Sequence, residues 1–380
     1  MRSPLFYKPN TFRRVLIGVA ITLAALLIIG LILFFVNKIV GSEKKVAVNN
    51  QPTITSLDFE LDPGVTYKNI VTDNSVFFYS TENLKILNSK GELKEDISLK
   101  FAHPTVASKG SFVLLYDAGG KNAVIYNGTK VKNSYTLEEN ILLAALNKNG
   151  YALFVTESNL HKCAVTVYND SGKELFKWNS GNLSVIAADV SDNNKDITVS
   201  ALNTDEGIIK NQIIMFNTAK EKPFTNDTYE KDMFSIVRYS GGHLYCIGTT
   251  NAHIYNNYGK CVGTAAYNER VLQGYALDGD MLVLVFSGAS ENTGVAEIKT
   301  FNHKGKNTGS FSVMQEFDYL DVRDGTIILN NGRTMSLLDS HCQEKRQINL
   351  NFDLRDFAFF GSNKKGIGIT ASGAEMIELH

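Results

Sequence analysis

The feature that most constrains the fold is a short polar turn that recurs along the chain. Residues 167–178 read VYNDSGKELFKW, and related stretches read LNSKGE at 87–92, YNNYGK at 255–260 and FNHKGK at 301–306. Asn at the first position can bond the backbone that follows it, and Gly at the fourth adopts a positive φ at little cost. Each copy therefore predicts a type I turn with a G1 bulge between antiparallel strands. With three looser copies, the residues that open these turns are Asn88, Asn127, Asn169, Asn217, Asn256, Asn302 and Asp339.

A second series of signals keeps the same period of about forty residues. Short apolar strands, each led by a turn rich in Gly, Asn and Asp, begin near Val76, Phe112, Tyr151, Ile197, Leu244, Leu282, Ile327 and Ile367. Each unit reads as strand, polar turn, apolar strand, variable loop, strand, Asn turn, strand. No stretch after residue 53 has a convincing helical period. A four-stranded unit of this length that repeats around a ring predicts an all-β fold, a β-propeller.

The two ends of the repeat region predict how the ring closes. The last unit runs out at residue 380 before its fourth strand, whereas Thr53–Leu61 alternates apolar and acidic residues and has no hairpin partner. We expect this N-terminal strand to complete the last blade, which removes two open sheet edges. Residues 53–380 divided among eight units give 41 residues per blade, so we predict an eight-bladed propeller, with seven blades as the alternative.

The stretch Asn169–Trp178 resembles the outer-strand repeat of the quinoprotein-like propellers, and it is also similar to the propellers of bacterial outer-membrane assembly lipoproteins. Trp178 is the only Trp of the chain, so the resemblance does not extend to the quinone-stacking residues or calcium carboxylates of the dehydrogenases, and no cofactor is expected. The whole chain resembles an uncharacterised family of Gram-positive bacterial proteins with one N-terminal span and a WD40-like propeller outside the cell. That resemblance implies a fold and a location but no activity.

The N-terminal segment predicts a membrane anchor. Val15–Val36 holds 22 residues without a charge, enough for a helix to cross the ~30 Å apolar core of a bilayer. A cleaved signal peptide is the alternative, but the apolar run exceeds the usual length and no small-residue cleavage site follows. The positive-inside bias favours a cytoplasmic tail at 1–14, a signal-anchor at 15–36, a linker at 37–52 and an extracytoplasmic propeller at 53–380.

The charge distribution argues against nucleic acid as a partner. Residues 1–52 contain seven Lys or Arg residues and one acid, whereas residues 53–380 contain 31 basic and 38 acidic residues. The propeller domain therefore carries a net charge of −7 and has no basic run. Binding to phosphate backbones needs clustered Lys and Arg. We expect the partners to be the membrane itself and an envelope protein or cell-surface ligand.

Searches for catalytic and metal-binding motifs give one weak candidate. Asp189, Asp192 and Asp196 offer closely spaced oxygen ligands of the kind that calcium prefers. The Gly and terminal Glu of an EF-hand loop are absent, however, and the stretch falls where every unit has a polar turn, which favours a turn. The seven histidines and four cysteines show no metal-ligand spacing, and no catalytic motif is found.

One asymmetry predicts a binding face. The loop between the second and third strands of a unit is short in most units but longer at Thr156–Lys162, Asn203–Asn211 and Ser287–Gly294. Glu157, Asp205, Glu206 and Glu291 would make that rim acidic, and loops on a rigid scaffold often carry binding residues. We therefore predict a non-enzymatic binding or scaffolding protein. The alternative is an extracytoplasmic hydrolase or lyase that acts on carbohydrate or peptide with carboxylates near the propeller axis.

Overall fold

The structure, a computed structural model, describes residues 51–220, 222–287, 296–313, 317 and 319–379. Within these ranges the chain forms 32 strands and one turn of 3-10 helix at Asp205–Gly207. The expected span Val15–Val36 lies outside them, and so do tail residues 1–14 and most of the linker. Across the described ranges, no helix has both the length and the apolar character needed to cross a bilayer.

The strands form eight antiparallel sheets of four strands each, which we call blades. The first four blades follow the chain without interruption. Blade 1 contains β2 (Lys68–Val71), β3 (Ser75–Tyr79), β4 (Asn83–Asn88) and β5 (Leu93–Ser98). Blade 2 contains β6 (Pro104–Lys109), β7 (Phe112–Asp117), β8 (Asn122–Asn127) and β9 (Lys130–Thr136). Blade 3 contains β10 (Ile141–Leu146), β11 (Ala152–Thr156), β12 (Cys163–Tyr168) and β13 (Glu174–Ser180). Blade 4 contains β14 (Ser184–Val190), β15 (Asp196–Asn203), β16 (Lys210–Asn217) and β17 (Thr225–Tyr229).

The remaining blades continue the same order, except that the last one takes its fourth strand from the start of the domain. Blade 5 contains β18 (Ile236–Ser240), β19 (His243–Ile247), β20 (Asn251–Tyr255) and β21 (Cys261–Ala266). Blade 6 contains β22 (Leu272–Asp278), β23 (Met281–Phe286), β24 (Ala296–Phe301) and β25 (Asn307–Val313). Blade 7 contains β26 (Tyr319–Arg323), β27 (Thr326–Asn331), β28 (Thr334–Leu338) and β29 (Glu344–Asn349). Blade 8 contains β30 (Asp356–Phe360), β31 (Ser362–Ile369), β32 (Ala374–Glu378) and β1 (Thr53–Ser56).

The first strand of each blade lies nearest the axis, because these strands contact their counterparts in neighbouring blades, as β10 contacts β14 and β26 contacts β30. The prediction of an eight-bladed propeller is confirmed, and the seven-bladed alternative is wrong. The apolar core is divided among the blade interfaces. For example, Phe77 and Leu84 of blade 1 pack in one cluster with Val113 and Leu115 of blade 2.

The N-terminal strand closes the ring as predicted. β1 pairs antiparallel with β32, in a register from Thr53 opposite Glu378 to Ser56 opposite Glu375. The strand is shorter than expected, because a tight turn in which the Phe59 N–H bonds the Leu57 carbonyl at 2.8 Å takes the chain out of the ladder. The alternating side chains keep their packing role, since Phe59 is buried between blades 8 and 1.

The recurring Asn turns join the third and fourth strands of their blades. At Asn88, the side-chain Oδ1 accepts the N–H groups of Lys90 and Glu92, and Gly91 has φ +78° with a bulge beside it. The same pattern holds at Asn169, Asn256, Asn302 and Asp339. The predicted turn type is therefore confirmed in five blades. Blade 2 uses a two-residue turn, and blade 4 uses a longer connection after Asn217.

The alternating strand directions give the ring two different faces. We call the turn face the side that carries the turns between first and second strands and the Asn turns. We call the loop face the opposite side, which carries the loops between second and third strands and the connections from blade to blade. The long loops expected from the sequence at 157–162 and 204–209 lie on the loop face. The third, after Phe286, runs mostly through residues outside the described ranges.

Candidate functional site

Charged side chains join non-adjacent blades across the central channel at the turn face. The Lys109 Nζ of blade 2 donates to the Tyr239 carbonyl of blade 5 at 2.9 Å and lies 3.3 Å from Asp192 Oδ1 of blade 4. Arg323 Nη2 of blade 7 lies 2.6 Å from Asp73 Oδ1 of blade 1. These side chains occupy the channel where the turns converge. A ligand that approaches the axis from the turn face therefore meets these side chains.

Two adjoining cavities open on the loop face above the innermost strand of blade 1. The larger, about 900 Å³, lies between blades 8 and 1 and is lined by Asp62, Lys68, Asn69, Arg355 and Asp356, among others. The smaller, about 460 Å³, lies between blades 1 and 2. The two share the lining residues 64–66, Lys68 and Tyr79. We call this continuous depression the β2 groove.

The two acids of the larger cavity are bound to other groups of the chain, whereas Glu82, which lines the smaller cavity, is exposed and its carboxylate forms no ion pair within the described ranges. Asp62 accepts from the Tyr67 hydroxyl at 2.5 Å and lies 3.4 Å from the buried Lys85 ammonium. The Tyr67 hydrogen bond and this positive charge hold the pKa of Asp62 below its ordinary value. Asp356 accepts from Asn69 Nδ2 at 2.7 Å, and its burial raises its pKa.

The two cations of the same cavity have no such partner. Lys68 and Arg355 are exposed, and within the described ranges neither side chain forms a hydrogen bond or an ion pair. Asp62 and Asp356 are already satisfied by other groups, and Glu82 of the adjoining cavity forms no ion pair with Lys68, so neither cation is held by an acid. Neither residue was predicted from the sequence as a site residue. No local signal indicates the pair, since the two lie at opposite ends of the domain and are joined only by ring closure.

A second feature of the loop face is a group of exposed apolar side chains over blades 3 to 6. Among the residues that the structure describes, thirteen large apolar side chains are exposed, and six of them lie on the half of the loop face formed by blades 3 to 6. They lie in loops 157–162 and 204–209, in the connections between blades, and at the start of β10. We call this group the loop-face patch: Leu142, Leu160, Ile208, Ile209, Met233 and Val271.

Acidic residues predicted for the binding rim lie in the same loops as part of this patch. Glu157 is exposed and accepts from Asn140 Nδ2 at 2.9 Å, and Asp205 is exposed and accepts from the Asn182 amide. Glu206 follows Asp205 in the single 3-10 turn of blade 4. Glu291 lies outside the described residues. The apolar members of the patch were missed, although Ile208 and Ile209 interrupt an otherwise polar loop and could have indicated it.

The three aspartates considered as calcium ligands have separate roles. Asp189 is buried and accepts the Tyr239 N–H at 2.7 Å. Asp192 lies near Lys109 and accepts the Lys148 N–H at 3.2 Å, whereas Asp196 accepts from Asn217 Nδ2 at 2.8 Å. In the described part of the chain, no group of three His, Cys, Asp or Glu side chains has the arrangement of a metal site.

Two histidines from different blades meet on the turn face. The rings of His243 and His303 stack with centroids 4.7 Å apart. The Nδ1 atoms lie 3.0 Å and 3.7 Å from the carboxylate oxygens of Asp280. Spacing in the sequence could not indicate this pair, because the contact depends on how blade 5 packs against blade 6. The four cysteines are unpaired.

Comparison with known proteins identifies a family and a fold. Residues 44–379 match the model of a family of unknown function (DUF5711). No curated protein sequence matches the chain. Among solved structures, the chain is similar to the C-terminal WD40 domain of Sif2, with TM-score 0.59, 10% identity, and coverage of 87% of this chain and 99% of that one.

Two bacterial structures are similar at the same level. BamB from Moraxella catarrhalis gives TM-score 0.50 and 11% identity, and the match covers 86% of this chain and 98% of that one. Apo AztD from Citrobacter koseri gives TM-score 0.51 and 11% identity, with 78% and 88% covered. At such low identity these likenesses show the propeller fold alone.

Proposed function

We propose that this chain, which belongs to the family of unknown function DUF5711, is a non-enzymatic binding or scaffolding propeller. Its partner would be a protein of the bacterial cell envelope, and the loop face would make the contact. The observation that carries this proposal is the loop-face patch. Several exposed apolar side chains on the same face, with polar residues beside them, are typical of interaction sites.

The composition of the patch indicates the kind of partner. Its apolar side chains resemble the core of a protein interface, and Glu157 and Asp205 resemble a polar rim. The exposed Glu269, beside Val271, adds a further negative charge. A partner that presents apolar side chains flanked by Lys or Arg would match both features, since complementary charge steers association and excludes wrong partners.

The location belongs to the same proposal. The apolar run Val15–Val36 would anchor the protein in the cytoplasmic membrane as a single-pass helix, with a short cytoplasmic tail and the propeller outside. The linker at 37–52 would hold the ring near the membrane surface. This arrangement suits a scaffold that keeps an envelope partner close to the membrane.

One observation favours a second candidate, hydrolysis or elimination on a carbohydrate or peptide. Asp62 and Asp356 line the same cavity, and their pKa values are displaced in opposite directions. Such a pair can divide acid and base roles. We rank this function second, because both carboxylates are already hydrogen-bonded to groups of the chain itself.

Crosslinking of the full-length protein in native membranes tests the first proposal. The informative variant is the double substitution Ile208→Ser with Ile209→Ser, which leaves the loop length intact. Shortening the loop through Asn211 is unsuitable, because that buried side chain accepts the Phe234 N–H at 2.8 Å and holds blade 4 to the next connection. The matched control is Val131→Ser, which changes an exposed apolar residue on the outer strand β9.

The expected result is an envelope protein that is captured by the wild type and by Val131→Ser but lost from the double variant. Capture that is equal in all three would contradict the loop-face proposal. Turnover of glycans or peptides by the wild type, abolished by Asp356→Asn, would establish the second candidate instead.

A further inference from the structure

We infer that the β2 groove is a separate ligand site, distinct from the loop-face patch, that holds an anionic group of an extended ligand between Lys68 and Arg355. The anionic group is a carboxylate or a phosphate, which share the chemistry that two cations recognise. The inference rests on the contents of the groove and not on the proposed protein partner.

The first support is a local charge that opposes the charge of the domain. Residues 53–380 carry a net charge of −7, yet Lys68 and Arg355 line one cavity with no acid bound to either of them. Asp62 is bound by Lys85 and Tyr67, and Asp356 accepts a hydrogen bond from Asn69. Cations that are left unpaired beside a cavity attract an anion, and a guanidinium can bind a carboxylate or phosphate through two parallel hydrogen bonds.

The second support is a hydroxyl that opens into the groove. Tyr79 is 6% exposed as a residue and lines both cavities of the groove, and its hydroxyl makes no hydrogen bond to any described residue. The hydroxyl oxygen itself is accessible from the groove. Burial of the ring raises the pKa of Tyr79, so the hydroxyl stays protonated and can donate to a ligand oxygen.

The strand register brings these groups together. Lys68 and Tyr79 are direct cross-strand partners on β2 and β3, so their side chains lie on the same face of blade 1. Asn69 and Asp356 join β2 to β30, and this contact places the residues that precede them, Lys68 and Arg355, at the same end of neighbouring inner strands. The groove therefore presents two cations and one hydroxyl donor, with the exposed Glu82 carboxylate in the cavity towards blade 2.

The shape of the groove indicates an extended ligand. Its two cavities continue into one another from blade 8 across blade 1 to blade 2. Lys109, which reaches Tyr239 across the channel, obstructs the channel at the turn face. A chain-like ligand can therefore lie along the loop face over β2, whereas passage through the ring is hindered.

Calorimetric titration of the full-length protein in detergent micelles at low salt tests the inference. Trigalacturonate is the carboxylate probe, glycerol 3-phosphate is the phosphate probe, and maltotriose is the neutral control. We expect one or both anionic probes to bind, maltotriose not to bind, and added salt to weaken binding. The variants Lys68→Met and Arg355→Gln should each weaken it about tenfold or more.

Two further variants separate a direct contact from a loss of structure. Lys162→Met removes an exposed lysine elsewhere on the loop face and should leave binding unchanged. Tyr79→Phe removes only the hydroxyl and should weaken binding without lowering the melting temperature. Binding of trigalacturonate alone would assign the site to carboxylates, and binding of glycerol 3-phosphate alone would assign it to phosphates. No binding of either probe, or binding unaffected by both groove substitutions, would overturn the inference.

Discussion

The carboxylate of Asp189 accepts the backbone N–H of Tyr239 at 2.7 Å and so joins the innermost strands of blades 4 and 5. Asp321 makes the same bond to the N–H of Phe359, also at 2.7 Å, and joins blades 7 and 8. An edge strand leaves its outer backbone groups unpaired. A buried aspartate that reaches from one inner strand to the next satisfies one of these groups and fixes the blades relative to each other.

The bond predicts that Asp189 is important for stability. We expect Asp189→Ala to lower the free energy of unfolding by about 2 kcal/mol or more, because the buried Tyr239 N–H would lose its acceptor. Asp192→Ala, at a half-exposed ion pair, should cost less than about 1 kcal/mol. Urea denaturation of both variants, with and without a calcium chelator, provides the measurement. Equal losses that depend on calcium would show instead that the aspartates form a metal site.

The pH dependence of stability provides a test at Asp321. Burial raises the pKa of Asp321 in the folded protein, so the folded state binds more protons than the unfolded chain above the ordinary Asp pKa of about 3.9. The free energy of unfolding therefore falls as the pH rises through the folded pKa. Asp321→Asn keeps an acceptor for Phe359 but cannot ionise. We expect this variant to gain stability relative to the wild type as the pH rises from about 4 through the folded pKa.

Asp353 provides a control, because the pH dependence of its contribution to stability has the opposite sign. Arg333 bonds Asp353 and holds the pKa of Asp353 below its ordinary value, so its contribution to stability is present above the unfolded pKa and is lost as the pH falls. Asp353→Asn should therefore lose stability relative to the wild type as the pH rises up to about 4, and the difference should level off above that pH. A difference between Asp321→Asn and the wild type that is constant with pH would refute the assignment.

Close packing between blades 6 and 7 predicts a second stability effect. A Cβ atom at Gly309, on the outer strand of blade 6, would overlap the backbone carbonyl of His341 in the Asn-type turn of blade 7. We expect Gly309→Ala to lower the free energy of unfolding by about 1–3 kcal/mol. Gly274→Ala is the control, because a Cβ there meets no atom within 4 Å. Thermal denaturation that shows equal shifts for both would contradict the close contact.

Ring closure predicts a large effect at Phe59. Its ring lies 4.9 Å from that of Phe78 and fills the interface between blades 8 and 1. We expect Phe59→Ala to lower the free energy of unfolding by about 3 kcal/mol. Ile54→Ala, on the exposed face of β1, should cost under about 1 kcal/mol. Proteolysis near the N-terminus should also accelerate in Phe59→Ala, and an unchanged cleavage rate would show that closure does not depend on this ring.

The repeat could be predicted from the sequence because each turn is formed by hydrogen bonds between residues close together in the chain. Asn88 bonds N–H groups two and four residues further on, so its residue type and the following Gly suffice to indicate the turn. The number of blades and the closure of the ring could also be predicted, since both follow from counting units. The length of β1 could not be predicted, because the turn at Leu57 and Phe59 has no distinctive residue pattern.

The binding surfaces could be predicted only in part. Glu157 and Asp205 were indicated by the length of their loops. Lys68 and Arg355 share a cavity only because blade 8 lies beside blade 1, and nothing near either residue in the sequence carries that information. Asp189 was grouped with Asp192 because the two are close in sequence, whereas its real partner, Tyr239, lies in the next blade.

The pairing of β1 with β32 also determines the order in which the domain can assemble. The first strand of the domain has no partner until the last strand has been synthesised, so blades 1 to 7 can form while the ring is still open. During that interval the edge of β1 and the apolar surface around Phe59 remain uncovered. Contacts between such distant segments are slow to form. Closure should therefore be the last and slowest step of folding, and until β32 has formed the domain is an open ring with an exposed sheet edge.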